Sequence, residues 1–313
     1  SLKSNGRKVG WLKFKSFINS IPLIQYCKTY FISHNKIRIQ GMKKWLRVIG
    51  LKQIPKEAEI ANAVLIRKND DYYIHVTTFA NKEPINITDV SIGIDFGCTT
   101  QMTFSNGIKV TFEVKPSKKL KRLDRKIQKK NRKKSKNKEK DQAERRKEYE
   151  KITNKKTDIK HKLVNATTKN YKYVIVQDES IHAWQASNHG KKIQNTGIGG
   201  ILADLKHKAV TPIVVDKFFP STQLCPKCGI KNKQTLSDRI YICGCGYVED
   251  RDIKSAICIE EEGMKQVPMD RRKLCESTKP GEISTSVFFN ALCKIHGIKV
   301  SKLGSKSQEA SIN

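Results

Sequence analysis

Acidic residues are scarce in this chain: 30 Asp and Glu stand against 62 Lys and Arg, which leaves a formal net charge of +32 over 313 residues. An excess of that size repels itself in a compact fold unless it is laid along phosphates, where counterion release drives association. A polyanion is therefore the expected partner, and the sequence pI near 9.8 lies beyond the level that flags nucleic-acid binders. Long apolar runs are missing too. No stretch approaches the ~18 consecutive apolar residues of a membrane span, and SLKSNGRKVG at the start lacks the pattern of a secretory signal; an intracellular, nucleoid-associated protein is expected. Histidine shows no pair at metal-ligand spacing, since His182 and His189 merely flank Trp184 and lone histidines are usually structural or solvated. No internal repeat is visible. The first residue is Ser1, in what reads as mid-domain sequence, so an upstream segment is expected.

What is present suffices for a core: 37% of residues are hydrophobic, and the length fits roughly two domains. Residues 1–88 alternate short β-prone runs, WLKFKSF, NKIRIQG and DYYIHVTTF, with turn residues such as Asn69, Asp70 and Asp71. That pattern predicts a small antiparallel sheet or partial barrel. Next, SIGIDFGCTTQMTFSNGIKVTF runs an apolar strand into Asp95, then continues through two more strands joined at the Asn106-Gly107 hairpin signal. This order opens a ribonuclease-H-like sheet. From Lys118 to Lys140 there are 14 Lys or Arg and two acids. Leu120, Leu123 and Ile127 recur at helical spacing, as do Tyr149, Ile152, Ile159 and Leu163, which predicts a helical hairpin over 116–165 turning at Ser135 to Asp141. One face packs and the other meets phosphate, through Lys118, Lys119, Lys121, Arg122, Arg125, Lys126, Lys129, Lys130, Arg132, Lys133 and Lys134. A strand YKYVIVQDE, a helix ILADLKHKA and a strand TPIVVDKFF complete an α/β alternation. The segment after 267 shows one helix-like run, SVFFNALCKI.

Two constellations carry chemistry. Cys225-Pro-Lys-Cys228 is followed after 14 residues by Cys243-Gly-Cys245, with Gly229 and Gly246 directly after each pair. Thiolates so spaced on tight knuckles can converge on one tetrahedral Zn²⁺, the glycines permitting the backbone turns. Cys27, Cys98, Cys258, Cys275 and Cys293 lack such partners and read as packing residues. The second set is carboxylate: Asp95 at a strand end, Glu179 at the end of YVIVQDE and Asp252 in EDRDIKSA. Two Mg²⁺ ions about 4 Å apart need several hard oxygen ligands to activate water on one side of a phosphate and stabilise the leaving oxygen on the other. Strand alternation puts Gln177 and Glu179 on one face, where only Glu179 is a carboxylate; Asp250 competes with Asp252. Trp184, Phe218 and Phe219 could either pack or stack on bases.

The order SIGIDFG, basic helical pair, VQDESIHAW, FFPSTQLCPKCG, CGCGYVEDRDIKSA resembles the RuvC-like domain of the TnpB family and the related compact type V CRISPR effectors, over about residues 90–262. The resemblance implies a RuvC-like nuclease domain over 89–216 and 248–266, a zinc ribbon inserted at 217–247, a partial wedge-like β domain at 1–88 and a tail at 267–313. It implies catalytic Asp95, Glu179 and Asp252 and a structural Zn²⁺ on Cys225, Cys228, Cys243 and Cys245. It also implies guide RNA and target DNA as partners, with a homodimer left open. Asp252 is preferred over Asp250 because it lies two residues before the family's usual Asn. That Asn is Lys254 here, which beside a metal site would contact phosphate or weaken metal binding. Three other readings stand beside it. One is a guided DNA-binding regulator that no longer cuts. Another is a transposase. The third is a phosphate-loop ATPase of the actin and heat-shock type, suggested by SIGIDFGCTT, whose second loop could only be Gly197-Ile198-Gly199-Gly200.

Overall fold

The structure is a computed structural model that describes residues 18–69, 71–80, 89–129, 135–233, 235, 238–277 and 282–302. It divides into two compact units, Ser1–Ile85 and Asn86–Asn313.

In the first unit two antiparallel three-stranded sheets form around Leu23, Tyr30, Ile37 and Ala63. β1 (Ser20–Leu23) pairs with β5 (Glu59–Lys68), which pairs with β6 (Asp71–Phe79); β2 (Tyr30–Ser33), β3 (Lys36–Ile39) and β4 (Leu46–Arg47) form the other. The runs NKIRIQG and DYYIHVTTF become β3 and β6, while WLKFKSF lies outside the described residues. Asn69 sits at φ 57, in the left-handed region that a tight turn requires and that Asn tolerates. β5 carries no clean alternation because a bulge between Ile60 and Asn62 shifts its register. Cys27, expected to pack, is instead exposed at φ 62, in the turn before β2.

The second unit is built on a six-stranded sheet. β7 (Ser91–Phe96), β8 (Met102–Phe104) and β9 (Ile108–Phe112) run antiparallel to one another. β10 (Tyr173–Gln177) pairs parallel to β7 on its other side, and β11 (Thr211–Val215) pairs parallel to β10. With a last strand, the order is β11-β10-β7-β8-β9-β14. Three antiparallel strands followed by two parallel ones laid beside the first is the ribonuclease-H-like arrangement, and the RuvC-like fold class stands.

Alternate residues of β7 face opposite cores. Ile92 and Ile94 join the larger core, which also takes Leu163, Ile201 and Leu205 from helices on that side. Ile175 and Ile213 join a smaller core with Ile259 and Met264 on the other. The helices are α1 (Lys118–Lys129), α2 (Lys136–Asn170), α3 (Ile181–Ala186), α4 (Gly190–Thr196) and α5 (Ile198–Lys208). After a short hairpin of β12 (Ile240–Ile242) and β13 (Val248–Asp250) come α6 (Arg251–Met264), α7 (Met269–Ser277) and α8 (Glu282–Cys293).

Three sequence readings are corrected here. Ser135 to Asp141 is not the turn of the helical hairpin: Ser135 caps α2, its hydroxyl accepting from the Lys138 amide, so the helix has already begun. Tyr149 does not share the packed face of α2; it is exposed, with the Arg145 guanidinium 5.4 Å from its ring centroid. The segment after 267 belongs to the sheet, since β14 (Ile298–Lys302) pairs antiparallel with β9 along five residues. Phe288 of α8 is fully buried, edge-on to Phe104 and Tyr171 with centroids 5.1 Å apart in each case.

Candidate active site and metal knuckle

Two glycines decide how close α6 comes to the sheet, Gly93 at β7 and Gly263 at β10. A Cβ on Gly93 would lie 2.2 Å from the Ala256 carbonyl oxygen, and one on Gly263 would lie 2.3 Å from Ile175. Only glycine lets the helix settle at that depth. The contacts then advance in step. Ser91 donates to Glu260, Gly93 meets Ala256, and two residues further along the strand comes Asp95, four residues back along the helix Asp252. Two strand residues span about 6.6 Å and four helical residues about 6.0 Å, so the match persists and brings the two carboxylates to the same end of the interface.

Asp95 sits in a row of side chains on the α6 face of the sheet. Thr103 and then Lys109 lie across β8 and β9 in direct register. Lys109 reaches up to α6, its ammonium 2.7 Å from Asp250 Oδ1 and 3.9 Å from Asp252 Oδ2. The carboxyl of Asp95 is pushed up to about 8, first by burial, then by the negative fields of Asp252 and Glu179. Glu179 is raised as well, by burial and by Asp178. Mutual repulsion of this kind raises the cost of ionising the neighbouring carboxyls together.

The choice between Asp250 and Asp252 is physical. Asp250 Oδ1 accepts from the amides of Asp252 and Ile253 at 3.0 and 3.2 Å, which makes it the N-cap of α6. Asp252, the second residue of α6, makes no cap and acts electrostatically on Asp95, with Arg251 3.6 Å away. Glu179 departs from the expected geometry. β10 ends at Gln177, and the Glu179 amide folds back onto the Gln177 carbonyl at 3.0 Å, so Glu179 does not share a strand face with Gln177. Gln177 is itself consumed. Its amide donates to the carbonyls of Asp216, Lys217 and Phe219, and it accepts from the Ser221 hydroxyl at 3.0 Å.

The four cysteines come together. Cys225 and Cys245 sulfurs are 3.7 Å apart and those of Cys228 and Cys243 3.5 Å. Among the described residues this is the one group of three or more potential ligands whose donor atoms all lie within 4.8 Å of one another; the three carboxylates are spread more widely. A tetrahedron with bonds of about 2.3 Å to sulfur has edges of about 3.8 Å, so the knuckle fits one metal ion. Gly229 and Gly246 make the turns at φ 72 and 84, each donating back to the first cysteine of its pair. The Cys243 thiol is lowered to about 6, chiefly by the Cys245 amide.

Lys254, expected to touch phosphate or weaken metal binding, is turned inward rather than open to a phosphate, and its positive charge acts on Asp95. It is fully buried, donates to the Ser221 carbonyl at 2.8 Å and lies 4.2 Å from the centre of the Tyr241 ring. The three aromatics separate. Trp184 and Phe219 pack against the two cores, whereas Phe218 is 80% exposed with the Lys217 ammonium 4.6 Å from its ring centroid. On α1, Leu120, Leu123 and Ile127 are buried, and Lys118, Lys119, Lys121, Arg122, Arg125, Lys126 and Lys129 are exposed. Lys119 is 3.3 Å from Glu144. Lys130, Arg132, Lys133 and Lys134 lie outside the described residues. Sequence reasoning missed Lys109, Ser221 and Tyr241, which carry no motif of their own. Gly93 was within reach, as the second small residue of an alternating S-x-G-x-D strand.

Two family models match in tandem. One, described as "Probable transposase", covers residues 73–183, from β6 to α3, and so includes Asp95 and Glu179. The other, "Cas12f1-like, TNB domain", covers residues 203–259 and includes the four cysteines and Asp252. Over these two stretches the chain is similar to the TnpB family and to Cas12f. A curated relative from Streptomyces pristinaespiralis, named "Putative RNA-guided DNA endonuclease", is 24% identical over 263 residues, covering 80% of this chain. The chain spans 65% of that relative's length. Two solved structures of Cas12f are also similar. A ternary complex gives a TM-score of 0.35 at 14% identity, over 83% of this chain and 67% of that one. A complex with single-guide RNA and target DNA gives 0.31 at 14%, over 80% and 68%. Among the described residues no helix is long and apolar enough to cross a membrane.

Proposed function

We propose that this chain is the catalytic part of an RNA-guided DNA endonuclease, with Asp95, Glu179 and Asp252 as its magnesium ligands. The observation that carries the reading is the stepwise pairing of β7 with α6, which delivers Asp95 and Asp252 to one place with the Asp95 carboxyl pushed up to about 8. Part-buried acids that repel one another at the end of a parallel strand are a costly arrangement unless cations relieve it. Bound Mg²⁺ would supply the Lewis acidity needed to activate water and stabilise the leaving oxygen of a phosphodiester. The chain's own residues hold and orient. Asp250 fixes the first turn of α6 and Lys109 tethers it to β9, so that Asp252 arrives already oriented. The exposed cations of α1 supply a phosphate-binding face for guide RNA or target DNA.

The four-thiol knuckle suits Zn²⁺ by donor softness and closed geometry, in a structural role. Work on DNA places the protein with the nucleoid. The test is cleavage of single-stranded and duplex DNA by the full-length protein with its co-purified RNA and Mg²⁺, beside an Asp95→Asn twin. Cutting that the twin lacks supports the assignment. RNA-dependent binding without cutting in either form would instead favour a guided regulator.

A further inference from the structure

We propose that Lys254 is a positioning residue that couples the four-thiol knuckle to the carboxylate site, so that metal loading of the knuckle sets the geometry of the two segments carrying Asp252 and Glu179. An unbroken chain of contacts joins the two. The Cys243 sulfur accepts from the Asn232 amide at 3.2 Å, and that nitrogen also donates to the Tyr241 hydroxyl at 3.3 Å. Tyr241, fully buried, offers its ring face to the Lys254 ammonium. Lys254 donates to the Ser221 carbonyl at 2.8 Å, and the Ser221 hydroxyl donates to Gln177 at 3.0 Å. Lys254 stands two residues after Asp252 on α6, and Gln177 ends the strand that leads into Glu179.

A buried ammonium is stable only where its position is fixed by partners, and here those partners belong to the knuckle and to the loop between β11 and the first cysteine. A cysteine knuckle folds with its metal, which makes Tyr241 a two-state neighbour of Lys254 and provides the switchable element that coupling requires. The inference rests on the nuclease reading only for what the positioned carboxylates do.

The experiment is hydrogen exchange on the full chain, zinc-free and zinc-loaded, read at the first turn of α6 and at residues 177–181. Zinc should slow exchange at both places in the wild type by about tenfold, the scale of outer-shell effects at metal sites. In Lys254→Met, with all four thiols intact, zinc should still bind and still protect the knuckle, but not the two distant segments. Protection transmitted undiminished in Lys254→Met, or confined to the knuckle in the wild type, would overturn the proposal. Should Lys254→Met fail to fold, Lys254→Asn makes the same comparison. Mn²⁺ affinity of the carboxylates gives a second readout in the wild type, where it should fall about tenfold when zinc is removed; only the wild type serves here, because Lys254→Met also takes a positive field away from Asp95. Absence of Mn²⁺ binding in every form would overturn the nuclease reading alone, and the exchange comparison would still decide the coupling.

Discussion

Gly93 lies directly beneath Ala256, so close that a Cβ on the glycine would come within 2.2 Å of the alanine carbonyl oxygen and 2.7 Å of the Glu260 Cβ. Backbone, unlike the end of a long side chain, cannot swing aside. Gly93→Ala should therefore lift α6 off β7, at an overpacking cost of roughly 2–3 kcal/mol, and carry Asp252 away from Asp95. Thermal melting should fall by roughly 5–10 °C, with cleavage lost even at temperatures where the variant is folded. Unchanged melting together with full cutting would show that the helix is not set by this contact.

Asp250 and Asp252 should part company on substitution. Asp250→Ala removes the α6 cap and the Lys109 partner, and should cost about 1 kcal/mol of stability with a partial loss of cutting. Asp252→Asn removes a charge that repels Asp95, so stability should hold or rise while cutting is abolished. Melting curves and cleavage rates on the same preparations decide it, and the reverse pattern would hand the metal-ligand role to Asp250.

Burial and the fields of Asp252 and Glu179 push the Asp95 carboxyl from its ordinary 3.8 up to about 8 in the folded chain. Between those values the folded state holds the extra proton, so stability falls as pH rises through that window. Without added divalent cation, the wild type should thus be less stable at pH 8 than at pH 6, and Asp95→Asn should flatten that slope. Adding Mg²⁺ should flatten it too, since a bound cation removes the penalty on the ionised form. Denaturant titrations at the two pH values measure it; parallel slopes for wild type and Asp95→Asn would mean that Asp95 is not the group responsible.

Much of this architecture was legible because its signals are local. A strand that reads apolar up to Asp95, a hairpin at Asn106-Gly107 and two cysteine pairs each followed by glycine need only neighbours in sequence to be recognised. The parts that escaped depend on distant partners. Glu179 seemed to continue a strand, but β10 stops where Gln177 is claimed by the loop at 216–221. β14 shows only as a short mixed run, and its place becomes evident once β9 offers a free edge. Lys254 reads as a surface cation by type, and only the Tyr241 ring and the Ser221 carbonyl explain its burial. Tyr149 fitted a helical period, yet at this point α2 turns Glu148 inward, where it is buried and accepts from the Ser117 hydroxyl, and leaves Tyr149 outside.

The cations of α1 should divide by their present partners. Lys121, Arg122 and Arg125 are exposed opposite the buried Leu120, Leu123 and Ile127, whereas Lys119 is held by Glu144 at 3.3 Å and approaches Glu148 at 3.9 Å. A cation already neutralised by acids releases fewer counterions from a nucleic acid than one facing solvent. Replacing Lys121, Arg122 and Arg125 together by Gln should lower the slope of log affinity for RNA against log salt by about 2–3, at roughly 0.7–0.9 per phosphate contact. Lys119→Gln should change that slope by well under one such step, with a stability effect of about 1 kcal/mol or less, as for an exposed ion pair. Binding measured between about 50 and 200 mM salt gives both slopes. If the triple variant keeps the wild-type slope, α1 is not where phosphate is bound, and the packed stripe on its other side serves only to fold it against α2.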